Sequence, residues 1–98
     1  MSEVNPAAVL KLAANLDAGA AQALLESMQA LRGGPLVIDA VEADQTTTLC
    51  MQVLLAAAAA WKADGLAFRI ADASPQFVEA AGLLGFTQAQ LPMEPMTP

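Results

Sequence analysis

The chain has no histidine, one cysteine and only four basic residues, Lys11, Arg32, Lys62 and Arg69. Each shortage excludes something. Without histidine the commonest general base is missing, no nucleophile–histidine pair can form, and a zinc site would have to be built almost wholly from carboxylates. With Cys50 alone, no intrachain disulfide is possible. Four scattered cations against ten acids, a net charge of -6, give no basic patch for nucleic acid and no attraction to an anionic membrane surface. Glycine-rich phosphate loops are absent too: Gly33-Gly34 has no GxGxxG or GKS/GKT context and reads as a helix terminator. No cofactor is expected, and the chain reads as a non-enzyme.

Apolar residues are plentiful. They make up 56% of the 98 residues, enough for one domain with a core, and the large alanine share implies closely packed helices. The longest apolar run, Leu49 to Trp61, is broken by Gln52 and falls short of the roughly 20 residues that span a bilayer, so it reads as a buried helix and not a membrane insertion. The opening MSEVNPAAVL has no basic region before its short apolar run and does not resemble a secretory signal; a cytoplasmic setting is expected.

Along the chain, Val9 to Leu12 reads as a strand. Asp17 can cap a helix reaching about Arg32, with Ala21, Leu24, Leu25, Met28 and Leu31 on one face. Pro35 opens "LVID", Leu36 to Asp39, whose lack of polar alternation predicts a central strand covered on both faces or nearly so. Residues 40 to 47 form an acidic, hydroxyl-rich loop. A second helix, apolar almost all round, runs from Thr48 to Ala63 and should be the most buried of the helices, with Trp61 an anchor at its end. Leu66 to Ala71 reads as a further strand. Ser74 and Pro75 then open a third helix that Gly85 follows. The fold class is α/β: a single domain over residues 1–90, a largely parallel sheet of about four strands and three main helices, then a loose Pro/Met-rich tail over 91–98.

Two stretches invite functional readings. Asp39, Glu42 and Asp44 could in principle hold a divalent ion, although a solvated acidic loop is the plainer reading; an aspartyl-phosphate receiver is disfavoured because the strand after the second helix carries Arg69 and no lysine. Thr46, Thr47 and Thr48 stand where the second helix begins. They can supply a plain N-cap, and a hydroxyl there can also accept a phosphate, which the unpaired N–H groups and the positive end of the dipole would stabilise. Cys50 reads as a small buried hydrophobe in preference to a redox thiol.

Several motifs in order resemble the STAS domain, the anti-sigma-factor antagonist family, over nearly the whole chain after residue 8. In that family a strand ends in aspartate, and eight residues later an Asp-Ser/Thr-x-Gly motif opens a helix. Asp39 matches the strand-end aspartate; without a gap, Thr47 falls on the motif aspartate, Thr48 on the hydroxyl phosphorylated in regulated members, Leu49 on the variable position and Cys50 on the glycine. "ANLDAGAAQAL" is similar to the entry to the family's first helix, with Asp17 on its aspartate. Gly65 and "SPQFVEAAGLLGF" match downstream segments. The departures are Thr47 for aspartate, Cys50 for glycine, and Ala43, Gln45 and Thr46 where apolar residues are usual.

The resemblance implies a non-enzymatic protein-interaction domain of bacterial signalling, of the antagonist or chemotaxis-operon kind. Its partner would be an anti-sigma-type serine/threonine kinase or another signalling protein, with Thr48 as phosphoacceptor and an interface of Asp17, Asp39, Thr46, Thr47, Leu49, Cys50 and Met51. The alternative is a STAS subunit that docks on the ATPase of a phospholipid-transport ABC system. The oligomeric state, the partner's identity and the pathway are not readable from the sequence.

Overall fold

The computed structural model describes residues 8–95. Strand β1 (Ala8–Lys11) leads through a short strand β2 (Asn15–Leu16) to helix α1 (Ala18–Ala30). Strand β3 (Leu36–Asp39) leads through the equally short β4 (Gln45–Thr46) to α2 (Thr48–Ala63). Strand β5 (Phe68–Ala73), α3 (Pro75–Leu83) and β6 (Met93–Pro95) complete the chain. The main sheet is parallel throughout, in the order β1-β3-β5-β6, with β3 interior as the sequence predicts.

That strand order equals chain order. Parallel strands joined by right-handed crossovers then step in one direction, and every connecting helix falls on the same side of the sheet. Burial agrees. Leu36, Ile38, Phe68 and Ile70 point to the helices and are buried, while Val9, Val37 and Arg69, which share one cross-strand row, point the other way. Val9 is 67% exposed and Val37 only partly covered. The expectation that "LVID" is covered on both faces or nearly so therefore holds fully on the helix side and only in part on the other. An unbroken run of three apolar residues, Leu36 to Ile38, does not distinguish two covered faces from one.

α2 is the most deeply buried helix: Cys50, Met51, Leu54, Ala57, Ala58 and Trp61 all face the core. Fully burying a side chain such as Leu54 contributes about 1.5–3 kcal/mol relative to leaving it in water. Trp61 is 1% exposed; its indole N–H donates to the Gly34 carbonyl at 2.7 Å, and its ring meets Phe68 at 5.8 Å between centroids. The end of α2 is thereby fixed to the turn before β3. Gly65 closes the helix with φ +70, while the Leu66 N–H reaches back to the Trp61 carbonyl and the Gly65 N–H to that of Lys62. Leu66 is thus part of the helix stop, which moves β5 two residues beyond the predicted start.

β5 carries an irregularity. Asp72 has φ +53, a left-handed conformation that aspartate tolerates better than most residues, and the pairing with β6 shifts between Ile70 and Ala73. The extra residue lets Ile70 and Ala73, three apart, both point inward. The tail also departs from expectation. Leu91 is fully buried, and Met93–Pro95 pairs with β5 as the fourth strand. Proline is compatible with β6 because an edge strand leaves one row of N–H groups without a ladder partner. The ordered domain extends past residue 90 to Pro95; the remainder of the predicted tail, 96–98, lies outside the described residues.

Candidate functional site

β2 and β4 are only two residues each, and their work is positional. They pair in parallel, Asn15 with Gln45 and Leu16 with Thr46. The Ala14 carbonyl accepts from the Asp44 and Gln45 N–H groups, and the Leu16 carbonyl accepts from Thr47 N–H at 3.0 Å. Since β2 runs into α1 and β4 into α2, the two helices start side by side. Asp17 caps α1, its carboxylate accepting from Ala20 N–H at 3.0 Å. Cys50 is fully buried between the two starts, its thiol donating to the Asp17 carbonyl at 3.4 Å. The position that resembles the family's motif glycine is thus a buried packing and tethering residue.

The threonines divide the work. Thr46 lies in β4, partly buried. Thr47 is the cap of α2: its backbone is extended, and its hydroxyl accepts from Cys50 N–H at a long 3.5 Å. Thr48 is the first helical residue; it is exposed, and no protein hydrogen bond engages its hydroxyl among the described residues. Leu49 follows, 52% exposed, an apolar side chain standing in solvent beside a free hydroxyl. The first turn contains no acidic side chain that would compete for its N–H groups.

Of the interface residues expected from the sequence, Asp17, Thr46, Thr47, Thr48 and Leu49 come together. Cys50 and Met51 do not reach a partner: both are 0% exposed, because they fall on the core stripe of α2. Asp39 is separated from them. It follows Ile38 in β3 and so points to the open side of the sheet, away from the helices. There its carboxylate accepts from Val41 N–H at 3.0 Å and fixes the turn after the strand. Beside it Lys11 pairs with Glu42 at 2.5 Å. The hydrogen bond that the Lys11 ammonium donates to Glu42, then the charge of Glu42, and to a smaller extent that of Asp39, hold the ammonium above its ordinary pKa. Asp39 and Glu42 are therefore used in a turn and an ion pair, and among the described residues no group of three histidine, cysteine, aspartate or glutamate side chains is placed to hold a metal ion.

Sequence reasoning missed two contributors. A groove of about 330 Å³ runs between the helix starts and α3, bordered by Asp17, Asp44, Thr46, Thr47 and Ala80. In the sequence Asp44 reads only as one of three loop carboxylates and Ala80 only as part of the third helix; their approach to the helix starts depends on the β2–β4 bridge and on the packing of α3, which no local pattern signals. Ser74, 3% exposed, was read as the α3 cap and is one, accepting from Phe77 N–H at 3.1 Å; its hydroxyl also donates to the Ala43 carbonyl and so fastens the loop before β4 onto α3.

Helix starts gather at the carboxyl edge of a parallel sheet in any fold of this kind. Ligand crevices form there where strand order reverses. Here the order never reverses, and the edge is bridged by β2 and β4. The arrangement presents a surface of mixed apolar and hydroxyl character. No helix among the described residues is long and apolar enough to cross a membrane.

A family model described as "Mlab, STAS domain" matches residues 2–95. No curated protein and no solved structure gives a match. The match spans almost the whole sequence and agrees with a four-stranded parallel sheet and three helices: the chain belongs to the STAS domain family.

Proposed function

We propose that this chain is a non-enzymatic protein-interaction domain of bacterial signalling that works in the cytoplasm, and that the start of α2 is its docking face. The observation that carries the reading is the division of labour at Thr47 and Thr48. Capping is done by Thr47, which leaves the hydroxyl of Thr48 free and exposed next to the solvent-facing Leu49. An apolar side chain of that size gains from being covered by a partner. The acidic rim given by Asp17 and Asp44 suits a partner with a basic group near the contact. In an antagonist-like or chemotaxis-operon protein the partner is an anti-sigma-type serine/threonine kinase or a related signalling protein, and Thr48 is the residue it phosphorylates. A phosphate there adds about -1.5 to -2 charges to an already acidic face, enough to break docking.

The second reading is docking on the ATPase of a phospholipid-transport ABC system through the same face. It is favoured by Thr47, since the residue aligned with the motif aspartate is a neutral cap in this chain, and docking without phosphotransfer has no need of the carboxylate. The test compares wild type, Thr48→Ala and Thr48→Glu for affinity to the partner that co-purifies with the wild type, identified by mass spectrometry. A switch requires Thr48→Glu to bind at least about tenfold more weakly and Thr48→Ala to bind like the wild type. Equal affinity of all three ends the switch. A kinase or an ATPase as the captured protein decides between the two readings.

A further inference from the structure

Thr48, Gln52, Leu55, Ala59 and Lys62 recur at steps of four and three residues and so share one stripe of α2. The upper end of the stripe is the docking face. Its lower end opens on a groove of about 480 Å³ between α2 and the segment leading into β6, with Leu55, Ala58, Leu66, Phe68 and Pro92 along its walls and Lys62 at its rim. Lys62 is distinct among the cations. Lys11 is paired with Glu42, Arg32 with Asp64 and Arg69 with Glu94. Among the described residues, Lys62 has no carboxylate within ion-pair distance. On a chain of net charge -6, a lysine without a carboxylate partner among the described residues therefore borders an apolar groove. A cation in the last turn suits the helix dipole, but the dipole does not call for a groove beside it.

We infer that the groove receives an amphipathic helix of the partner protein, whose apolar face lies between α2 and Phe68–Pro92 and whose acidic side chain pairs with Lys62. The stripe runs nearly the whole 16 residues of α2, about 21 Å at 1.5 Å per residue, so a partner helix of about four turns laid along it meets Thr48 at one end and Lys62 at the other. The partner's placement along α2 rests on the docking face proposed above; the chemistry of the groove does not.

The test is a titration of the ¹⁵N-labelled full chain with two cross-linked helical peptides of about 14 residues. Both carry the same leucine face, and they differ only in Glu or Lys at the position that meets the rim. The Glu peptide is expected to shift the amides of Leu55, Ala59 and Lys62 and to bind roughly three- to tenfold tighter than the Lys peptide, the range expected when one exposed pair changes from attraction to repulsion. Lys62→Glu, at an exposed position that leaves the fold intact, should reverse that order. Absence of shifts at the groove, or identical affinities for the two peptides, overturns the proposal, as does saturation of the same amides by decanoate that neither peptide displaces. Shifts at the groove without any at Thr48 and Leu49 support the groove and count against the docking face. Shifts at Thr48 and Leu49 alone do the reverse.

Discussion

α2 and α3 begin in the same way on paper, a hydroxyl residue followed by a helix, and in different ways in space. Ser74 is buried. Its hydroxyl both accepts from Phe77 N–H and donates to the Ala43 carbonyl, while its N–H reaches the Ala40 carbonyl at 3.3 Å. Thr47 is exposed, its hydroxyl only accepts, and it does so at 3.5 Å. One start is a fastening inside the fold. The other is lightly held and leaves its neighbour Thr48 free. The same local rule of capping thus joins two chain segments at α3 and leaves its neighbour in solvent at α2, and what separates them is whether a second chain segment comes within reach of the hydroxyl.

The comparison breaks first if Ser74 can be removed cheaply. Ser74→Ala loses a cap, worth about 1 kcal/mol, and leaves the buried Ala43 carbonyl without its donor, worth about 1–3 kcal/mol more. The expected loss is about 2–4 kcal/mol, a fall in melting temperature on the order of 10–30 °C for a domain of this size. A fall of less than about 5 °C means that the Ala43 bond contributes nothing. Next comes Asp72, whose left-handed backbone turns Ala73 inward immediately before Ser74. Asp72→Val puts a β-branched residue at φ +53 and is expected to cost about 1–3 kcal/mol, whereas Asp72→Gly should be neutral or better. Urea midpoints of the two variants check the sign, and equal midpoints show that the conformation is not strained for valine.

Most of this framework was readable in advance, for identifiable reasons. Leu36–Asp39 and Thr48–Ala63 have the same bounds in sequence and structure because each is an apolar run closed by strong punctuation, Pro35 before the strand and Asp64-Gly65 after the helix. Ser74 as a cap was legible from the Ser-Pro pair, and its reach to Ala43 was not, since that contact joins residues far apart in the chain. The open face of the sheet was not legible because "LVID" looks the same whether Val37 meets a second layer or water. β6 was hidden by Pro95 within it and Pro92 before it, since prolines mark loops more often than edge strands. At the site, the motif order named Asp17 and Thr46–Leu49, which lie at the adjoining starts of α1 and α2. It also drew in Cys50 and Met51, which helical geometry turns into the core, and Asp39, which strand alternation turns to the other side.

A smaller effect is expected at Thr47. Its cap bond is at the long limit of hydrogen-bond geometry, so Thr47→Ala should cost about 0.5–1 kcal/mol, the low end for a cap. Measured by the same thermal melts, the ratio of the Ser74→Ala loss to the Thr47→Ala loss should be at least about two. A ratio near one means that the two starts are held equally and that burial at α3 adds nothing.

The smallest effect on stability is expected at Thr48, and it sharpens the contrast most. With its hydroxyl unbonded and its side chain in solvent, Thr48→Ala should change stability by no more than about 0.5 kcal/mol, the range for surface positions without a special role. Thr48→Glu should gain about 0.3–1 kcal/mol, because an acidic side chain at the first helical position meets unpaired N–H groups and the positive end of the dipole. The gain should shrink in high salt, since the charge is exposed and screened. The three proteins are compared by urea unfolding at low and high ionic strength. If Thr48→Ala costs as much as Thr47→Ala, then Thr48 shares the capping and its hydroxyl is not free for a kinase or a partner. If Thr48→Glu is no more stable than the wild type at low salt, then the helix start does not favour an added negative charge, and the electrostatic ground for a phosphate at this position is lost.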